Sequence, residues 1–436
     1  MTELHVPGVA VGVTYREQKF TAGLGITNID HPLDVDDRTL FQIGSITKTF
    51  VGTVAMQLIE RGELDLDAPI RAYLPDFAVY DEEASDMVTV RHLFTHTAGW
   101  VGDWFPNDLG QGDDAVARYV ASMIDTPQLT PPGQILSYNN AGFNVAGRIF
   151  EVIVGKPFSD IMQESLFDPL EMTHTYMLPW KMMTYRFAVG HVVIDDRPSV
   201  ARPWSIGRAL GPAGGIVTNV KDMMNYAQFQ LGEGVFRGKR ILGAESLHQL
   251  HLPQVSYTPT HRVALTFWVD DRRSASTIWH SGGTVGQISR LTIVPDYDFA
   301  ILLVTNAGTG RQLTPVVTDF ALEQYLSVPT PVAPIKETAS QELSEYNGNY
   351  SATLTAASVH IQDETLLIRR QSLGGFPTKD TPPTSPELTP PVQYRFYDDD
   401  HIIGIDTPHI GDLAQFVRSN DGNIAWLRLN MRLHRP

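Results

Sequence analysis

Cysteine is absent from the 436 residues of the chain. The protein therefore has no disulfide, no thiolate metal site and no cysteine nucleophile. Positive charge is scarce as well, since 33 Lys and Arg stand against 49 Asp and Glu and give a formal net charge of −16. Nucleic acids and anionic lipid surfaces repel such a protein at long range, so neither is expected as a partner.

Long apolar runs are also missing. No stretch approaches the roughly twenty apolar residues that a membrane span needs, so no membrane span is expected. The opening sequence MTELHVPGVAVGV lacks the basic and apolar regions of a signal peptide. As written, the sequence predicts a cytoplasmic protein, and an N-terminal segment missing from it would change that prediction to export.

The length of the chain predicts two domains, because a single hydrophobic core stops growing at roughly 250–300 residues. Around SVPTPVAPIKETASQE, prolines and polar residues replace the periodic apolar residues found before it. This change in composition predicts a linker over 329–342, between a first domain at 1–328 and a second at 343–436.

The first domain carries strand patterns at both ends and helical patterns between them. GVAVGVTYREQKFTAGLGITN predicts one hairpin, and ISRLTIVPDYDFAILLVTNAG predicts another that turns at Pro295 and Asp296. This order predicts an α+β fold, an antiparallel sheet closed by the first and last strands with helices inserted. Apolar residues at helical spacing predict helices from Ser45 to a stop at Gly62 and over about 141–155, 219–231 and 315–326.

The second domain alternates apolar and polar residues around turn pairs such as Asn-Gly and Asp-Gly, which predicts a small antiparallel β domain. Its proline-rich stretch GGFPTKDTPPTSPELTPP is too long for an ordinary hairpin connection. That stretch is therefore expected to be either disordered or a functional loop.

One short segment, FQIGSITKTFVG, places Ser45 three residues before Lys48 at the start of a helix. Side chains at this spacing share a helix face, so the amine can reach the serine hydroxyl. A buried amine loses part of its preference for protonation and can activate a nucleophile. The alternative is an N-cap serine beside a solvated lysine. Lys48 favours the first interpretation, because it is the only lysine between Lys19 and Lys156 and lies in a mostly apolar helix.

Two further motifs follow in order. Tyr138, Asn139 and Asn140 precede a predicted helix, and the run His280, Ser281, Gly282 and Gly283 enters a strand. Together with S-x-x-K, this Y-x-N and H-x-G order resembles the penicillin-recognising serine hydrolases over residues 5 to 326. Within them, the chain is most similar to the branch of class C β-lactamases, esterases of β-lactamase fold and D-aminopeptidases. The second domain resembles the lipocalin-like β-barrels that follow many of these peptidases.

The resemblance implies a role for each motif residue. Ser45 would attack the substrate carbonyl and form an acyl-enzyme. Tyr138, its pKa lowered by Lys48, would act as general base toward Ser45. Asn140 would bind the acyl chain and hold Lys48, and the backbone N–H groups of Ser45 and Gly283 would form the oxyanion hole. His280, Ser281 and Gly282 would bind substrate along the strand.

His280 departs from the family pattern. Most β-lactamases and DD-peptidases of this group carry lysine there, as a fixed charge for the substrate carboxylate. Histidine is mostly neutral at pH 7. An amide, short peptide or ester without an obligatory carboxylate therefore fits better, and histidine here is similar to what D-aminopeptidases and several esterase-like members have.

Three functions stay open. The leading one is a serine hydrolase acting on amides, short peptides or esters, with no cofactor and no metal. The second is a β-lactamase or DD-carboxypeptidase, and the third is a non-catalytic penicillin or peptide sensor. His92 and His96 have the spacing of a helical metal pair but lack a third ligand. The second domain is expected to overhang the active site and limit substrate size. Oligomeric state and substrate identity are not predicted.

Overall fold

The computed structural model describes residues 1–436 apart from 17, 205, 259, 331–334, 337–342, 363–364, 384, 386 and 408. Most of the predicted linker, 329–342, lies outside the described residues. One eight-stranded sheet and the α-helices precede it in the chain, and a second eight-stranded sheet follows it. Within the described part, no helix is both long and apolar enough to span a bilayer.

The first part of the chain is a mixed α/β unit. Its strands are β1 Gly8–Tyr15, β2 Gln18–Gly25, β3 Phe41–Gln42, β4 His191–Ile194, β5 Arg197–Val200, β6 Val217–Thr218, β7 Val235–Phe236, β8 Lys239–Arg240, β9 Val255–Ser256, β10 His261–Val263, β11 Trp268–Asp270, β12 Thr277–Gly283, β13 Ile288–Val294 and β14 Phe299–Thr305. Its helices are α1 Thr47–Glu60, α2 Glu82–Met87, α3 Val90–Phe94, α4 Ala115–Ala121, α5 Asn140–Val154, α6 Phe158–Met162, α7 Gly211–Gly214, α8 Val220–Leu231, α9 Ala244–His251 and α10 Gly310–Leu326.

The main sheet is antiparallel in the order β2-β1-β14-β13-β12-β11-β10-β9. The first strand of the chain thus pairs with the last strand of this unit, with Val9 opposite Thr305 and Tyr15 opposite Phe299. Both predicted hairpins, the closure by first and last strands and the inserted helices are confirmed. Strand β12 lies inside the sheet, where it pairs with β11 over residues 277–279 and with β13 over residues 278–283. Among the described strands, the His280 motif is therefore held by β13 alone.

Strand β14 is buried on both faces, which explains its unbroken apolar run. Ile301 and Leu303 pack under α10, whereas Leu302 and Val304 face the main core that includes α1 and α8. Alternate residues of a strand point to opposite faces, so helices cover both sides. Helix α10 begins at Gly310, ahead of the predicted 315, and Pro315 lies within it.

The C-terminal sheet runs as a meander of neighbouring antiparallel strands and is nearly closed into a barrel. Ser351 and Arg435 exchange backbone hydrogen bonds of 2.7 and 2.8 Å that join its first and last strands. The predicted small antiparallel barrel is confirmed. The strands are β15 Gly348–Ser351, β16 Thr355–Gln362, β17 Thr365–Ser372, β18 Val392–Phe396, β19 His401–Gly404, β20 Leu413–Arg418, β21 Ile424–Leu429 and β22 Arg432–His434.

The doubly buried strand yields a stability prediction. Leu302 has no exposed surface, so Leu302→Ala leaves a cavity and is expected to cost about 2–5 kcal/mol of unfolding free energy. Val316→Ala on the outer face of α10, where the side chain is 65% exposed, is the control and is expected to stay within about 0.5 kcal/mol. Urea denaturation followed by circular dichroism measures both, and equal effects would contradict the assignment of β14 to the core.

Candidate active site

The Ser45 hydroxyl and the Lys48 amine meet at the start of α1. Ser45 lies in a 3₁₀ turn, Gly44–Ile46, which leads directly into the helix. The Lys48 side chain is fully buried, and its Nζ lies 3.0 Å from Ser45 Oγ, 2.8 Å from Asn140 Oδ1 and 2.6 Å from the Ala213 carbonyl oxygen. Lys48 is therefore not a solvated side chain.

The partners of Lys48 fix the direction of its hydrogen bonds. The carbonyl oxygen of Ala213 and the amide oxygen of Asn140 can only accept hydrogen bonds. A neutral amine donates its two hydrogens to those oxygens, which leaves its lone pair for the Ser45 hydroxyl proton. This is the arrangement that a general base requires.

The charge state of Lys48 follows from its surroundings. Burial lowers the pKa of Lys48 well below its usual range, Arg432 lowers it further, and Asp103 opposes the change. An amine with a lowered pKa is neutral over a wider range of pH. The environment of Lys48 thus favours the form that can accept the proton of Ser45.

The two asparagines of the Y-N-N motif have different contacts. Asn139 is the N-cap of α5, because its side chain accepts a 2.8 Å hydrogen bond from the backbone N–H of Gly142. Asn140, the first residue of the helix, donates from Nδ2 to Asp103 Oδ1 at 2.7 Å. A carboxylate accepts only, so this bond turns the amide oxygen of Asn140 toward Lys48.

Tyr138 is packed against its neighbours and keeps its proton. Burial raises the pKa of Tyr138 to about 12, although a hydrogen bond with Ser45 and the charge of Arg432 oppose the rise. The expectation of a lowered pKa for Tyr138 is wrong, because burial disfavours the charged phenolate. The ring lies 4.5 Å from the His96 ring and 6.4 Å from the Trp268 ring, centroid to centroid.

The predicted oxyanion donors are brought together by two glycines. Gly44 has φ +50°, and a Cβ added there would lie 2.7 Å from the backbone nitrogen of Gly283. The loop that carries Ser45 and strand β12 can approach this closely only without a side chain between them. Gly282 serves the same contact, since a Cβ on it would lie 1.8 Å from the Ile43 carbonyl oxygen. Its contact with substrate stays a prediction.

His280 is buried and neutral. Its Nδ1 donates to the carbonyl oxygen of Ser281 at 2.6 Å, and Nε2 has no partner within the described chain. Burial and the neighbouring Lys48 lower the pKa of His280 to about 3, so the third motif supplies no fixed positive charge. Ser281 is exposed on the strand, where its hydroxyl is open to a ligand.

Sequence reasoning missed the part of the site that the C-terminal barrel supplies. Strands β21 and β22 are joined by Asn430 and Met431, both with positive φ, which is the two-residue hairpin geometry. The Met431 carbonyl accepts from the Tyr138 N–H at 2.7 Å, and the Arg432 guanidinium bonds Asp103 and lies 4.8 Å from the Tyr138 ring centroid.

A second missed cation lies on the other side of the site. Arg311, at the start of α10, is exposed, and its Nη2 lies 2.9 Å from where a Cβ on Gly283 would be. In the described chain its guanidinium has no hydrogen-bond or ion-pair partner. It is among the charges that oppose the rise in the pKa of Tyr138. The K/H-x-G motif gives no signal for it, since Arg311 comes from the following helix.

The proline-rich stretch contacts the catalytic unit rather than lying free. Phe376 packs edge-on against Phe105, with ring centroids 5.0 Å apart, and the Lys379 N–H donates to the Phe105 carbonyl at 2.7 Å. Phe105 follows directly on the segment that carries Asp103. The barrel therefore touches this segment at two places.

Residues of the metal-ligand type do not gather into a candidate site in the part of the chain that is described. His92 Nδ1 accepts from the Thr89 N–H at 3.2 Å and His96 Nδ1 accepts from the Asn139 N–H at 3.0 Å. The His92 ring thus caps α3, and the His96 ring holds the backbone that precedes α5.

The sequence and the fold match known proteins. The profile of the family described as Beta-lactamase matches residues 1–325. This chain belongs to the beta-lactamase family. Penicillin-binding protein 4 of Amycolatopsis lactamdurans is 33% identical over 317 residues, which cover 71% of this chain and 83% of that protein. The geometry of Ser45 and Lys48 agrees with membership in this family of serine hydrolases. The protein is therefore a beta-lactamase-like serine hydrolase.

Solved structures share the fold of this family member. The crystal structure of SurE aligns with a TM-score of 0.77 at 24% identity and covers 100% of this chain and 96% of that one. SurE with D-Leu gives 0.73 at 23% identity, with coverage of 100% and 96%. A class C beta lactamase from Rhodobacter sphaeroides gives 0.59 at 23% identity and covers 71% of this chain and 93% of its own.

The close approach of the nucleophile loop to β12 yields a prediction. Gly44→Ala places a Cβ against Gly283 and is expected to lower kcat/KM about a hundredfold to a thousandfold, the usual effect of losing an oxyanion donor. Gly62→Ala is the control, because Gly62 also has positive φ (+70°) but nothing within 4 Å of an added Cβ. Steady-state kinetics and thermal melts of both variants separate misplacement of the donors from backbone strain. Similar kcat/KM values in the two variants would contradict the close-contact explanation.

Proposed function

We propose that the protein is a metal-independent serine hydrolase that cleaves amide, short-peptide or ester substrates through a Ser45 acyl-enzyme. The observation that carries the proposal is the buried Lys48 amine, 3.0 Å from Ser45 Oγ, with acceptors on its other sides. A binding module without catalysis has no need for an activated nucleophile, which speaks against a penicillin or peptide sensor.

In this mechanism Lys48 is the base for acylation. Its Nζ takes the proton as Ser45 Oγ bonds to the carbonyl carbon, and the N–H groups of Ser45 and Gly283 stabilise the oxyanion. Tyr138, which keeps its proton at neutral pH, donates to the departing amine or alcohol as the C–N or C–O bond breaks. Water then attacks the acyl carbon while the Tyr138 phenolate takes one of its protons. The Lys48 ammonium returns a proton to Ser45 Oγ as the bond between Oγ and the acyl carbon breaks, which frees the acid and restores all three groups.

The substrate class follows from the charge at the third motif. A neutral His280 provides no cation for an obligatory carboxylate, which favours neutral amides, peptides and esters. SurE has been crystallised with D-Leu. That complex supports including D-amino-acid amides and esters among the candidate substrates of this chain.

One observation favours the second candidate, a β-lactamase or DD-carboxypeptidase. The Arg311 guanidinium, which has no hydrogen-bond or ion-pair partner in the described chain, lies beside Gly283 at the end of β12. His280, on the same strand, provides no positive charge. Arginine pairs well with carboxylates through two parallel hydrogen bonds. A substrate carboxylate could therefore be bound by Arg311 instead of a motif lysine.

The nucleophile is tested by covalent labelling. Incubation with a fluorophosphonate and peptide mass mapping is expected to place the adduct on Ser45, and Ser45→Ala is expected to lower turnover at least about a thousandfold. Ser165, whose hydroxyl has no catalytic neighbour in the proposal, serves as the control in Ser165→Ala. An adduct elsewhere, or turnover by Ser45→Ala near that of the parent, would refute the proposed function.

The two substrate classes are separated by Arg311→Met. We expect little change in kcat/KM for p-nitrophenyl esters and for D- or L-amino-acid anilides without a carboxylate. If nitrocefin or a peptide with a free carboxylate is the better substrate, the same variant is expected to lower its kcat/KM at least about tenfold, chiefly through KM, because a charged hydrogen-bonded pair is lost. Equal changes in kcat/KM for substrates with and without a carboxylate would show that Arg311 does not bind the carboxylate.

A further inference from the structure

The guanidinium of Arg432 is hydrogen-bonded to other residues of the protein. Nε and Nη2 both bond the Asp103 carboxylate, and Nη1 donates to the Asn430 carbonyl at 3.3 Å. Asp103 is 6% exposed. Three of the five guanidinium N–H groups are thus bonded to protein acceptors, and the arrangement is that of an ion pair shared between the barrel and the catalytic unit.

A chain of hydrogen bonds leads from this ion pair to the base. Arg432 holds Asp103, Asp103 accepts from Asn140 Nδ2 at 2.7 Å, and Asn140 Oδ1 accepts from Lys48 Nζ at 2.8 Å. Each bond has one possible direction, since guanidinium and amide nitrogens donate and carboxylate and amide oxygens accept. The orientation of the Asn140 amide therefore depends on a residue of the C-terminal barrel.

We propose that Arg432 is a positioning residue that acts through Asp103 and Asn140 to keep the Lys48 amine neutral and oriented toward Ser45. This rests on the proposed function of Ser45 and Lys48 and deepens it. The beta-lactamase-like unit alone would then carry an incompetent base, because the barrel supplies the cation that balances Asp103.

The charges around Lys48 set the sign of the effect. Asp103 raises the pKa of Lys48 and Arg432 lowers it. The other titratable neighbours stay neutral, because burial lowers the pKa of His96 and His280 and raises that of Tyr138. Removing the Arg432 cation leaves a buried carboxylate unbalanced near the amine. The pKa of Lys48 must then rise, and its neutral form is lost at a higher pH as the solution is acidified.

The test follows the second-order rate of Ser45 labelling by an uncharged alkyl fluorophosphonate as a function of pH. This probe has no carboxylate, and its fluoride leaves without a proton, so the acidic limb of the profile reports the base. Arg432→Gln is expected to move that limb to higher pH by about one unit or more, the usual effect of a close charge. Arg432→Lys, which keeps the charge, is expected to move it much less.

A double variant and a control variant complete the test. Asp103→Asn combined with Arg432→Gln removes both charges, and the introduced amide would still offer an oxygen to Asn140, so the limb is expected to return toward that of the parent. Arg428→Gln is the control. Arg428 belongs to the same hairpin and donates to the Leu136 carbonyl at 3.0 Å, but it contacts no carboxylate of the site. It is expected to leave the limb in place.

Each outcome has one meaning. A folded Arg432→Gln variant with an unmoved limb overturns the inference, and so does a double variant whose limb stays as far displaced as that of the single one. Equal shifts in Arg428→Gln and Arg432→Gln would also overturn it, because they would indicate general loosening of the interface. If the parent protein is not labelled on Ser45 at all, the proposed function itself fails.

Discussion

The site depends on one constraint, an amine that is held in a place where its charge is disfavoured. Lys48 has no exposed surface and three fixed oxygen neighbours. Burying an isolated charge costs far more than burying a hydrogen-bonded neutral group, so the amine responds by giving up its proton. Its lone pair then has one remaining partner, the hydroxyl of Ser45. The burial that makes a charged Lys48 side chain energetically unfavourable also makes the amine a base.

The same constraint explains why the barrel contributes residues to the site. Asp103 is needed to turn the Asn140 amide, but an unbalanced buried carboxylate would draw a proton back onto Lys48. Arg432 balances it from the tip of a barrel hairpin, and the Met431 carbonyl fixes the backbone at Tyr138. The expectation that the barrel overhangs the active site and limits substrate size stays a prediction, and the contact of Phe376 with Phe105 is consistent with it.

Local patterns were enough for much of this protein. Strand patterns at both ends of the first unit predicted its two hairpins, alternation in the C-terminal segment predicted the barrel, and the S-x-x-K, Y-x-N and H-x-G order predicted the motif residues. Each of these signals is a short pattern that can be seen within one stretch of sequence. Contacts such as Arg432 with Asp103 were not predictable, since residues 329 positions apart leave no periodic trace. The pKa of Tyr138 was predicted in the wrong direction for a related reason. An effect of Lys48 was assumed from the motif, whereas the largest cause is burial, which only the packed structure defines.

The ionisation of the Lys48 amine, on which the proposed mechanism depends, can be measured directly. With selectively labelled lysine, the ¹⁵N shift of Nζ can be followed against pH, and Lys48 assigned from the spectrum of Lys48→Arg. We predict that the Lys48 amine releases its proton at a pH well below the usual pKa range of a lysine. Titration of Lys48 together with the exposed lysines would contradict the account.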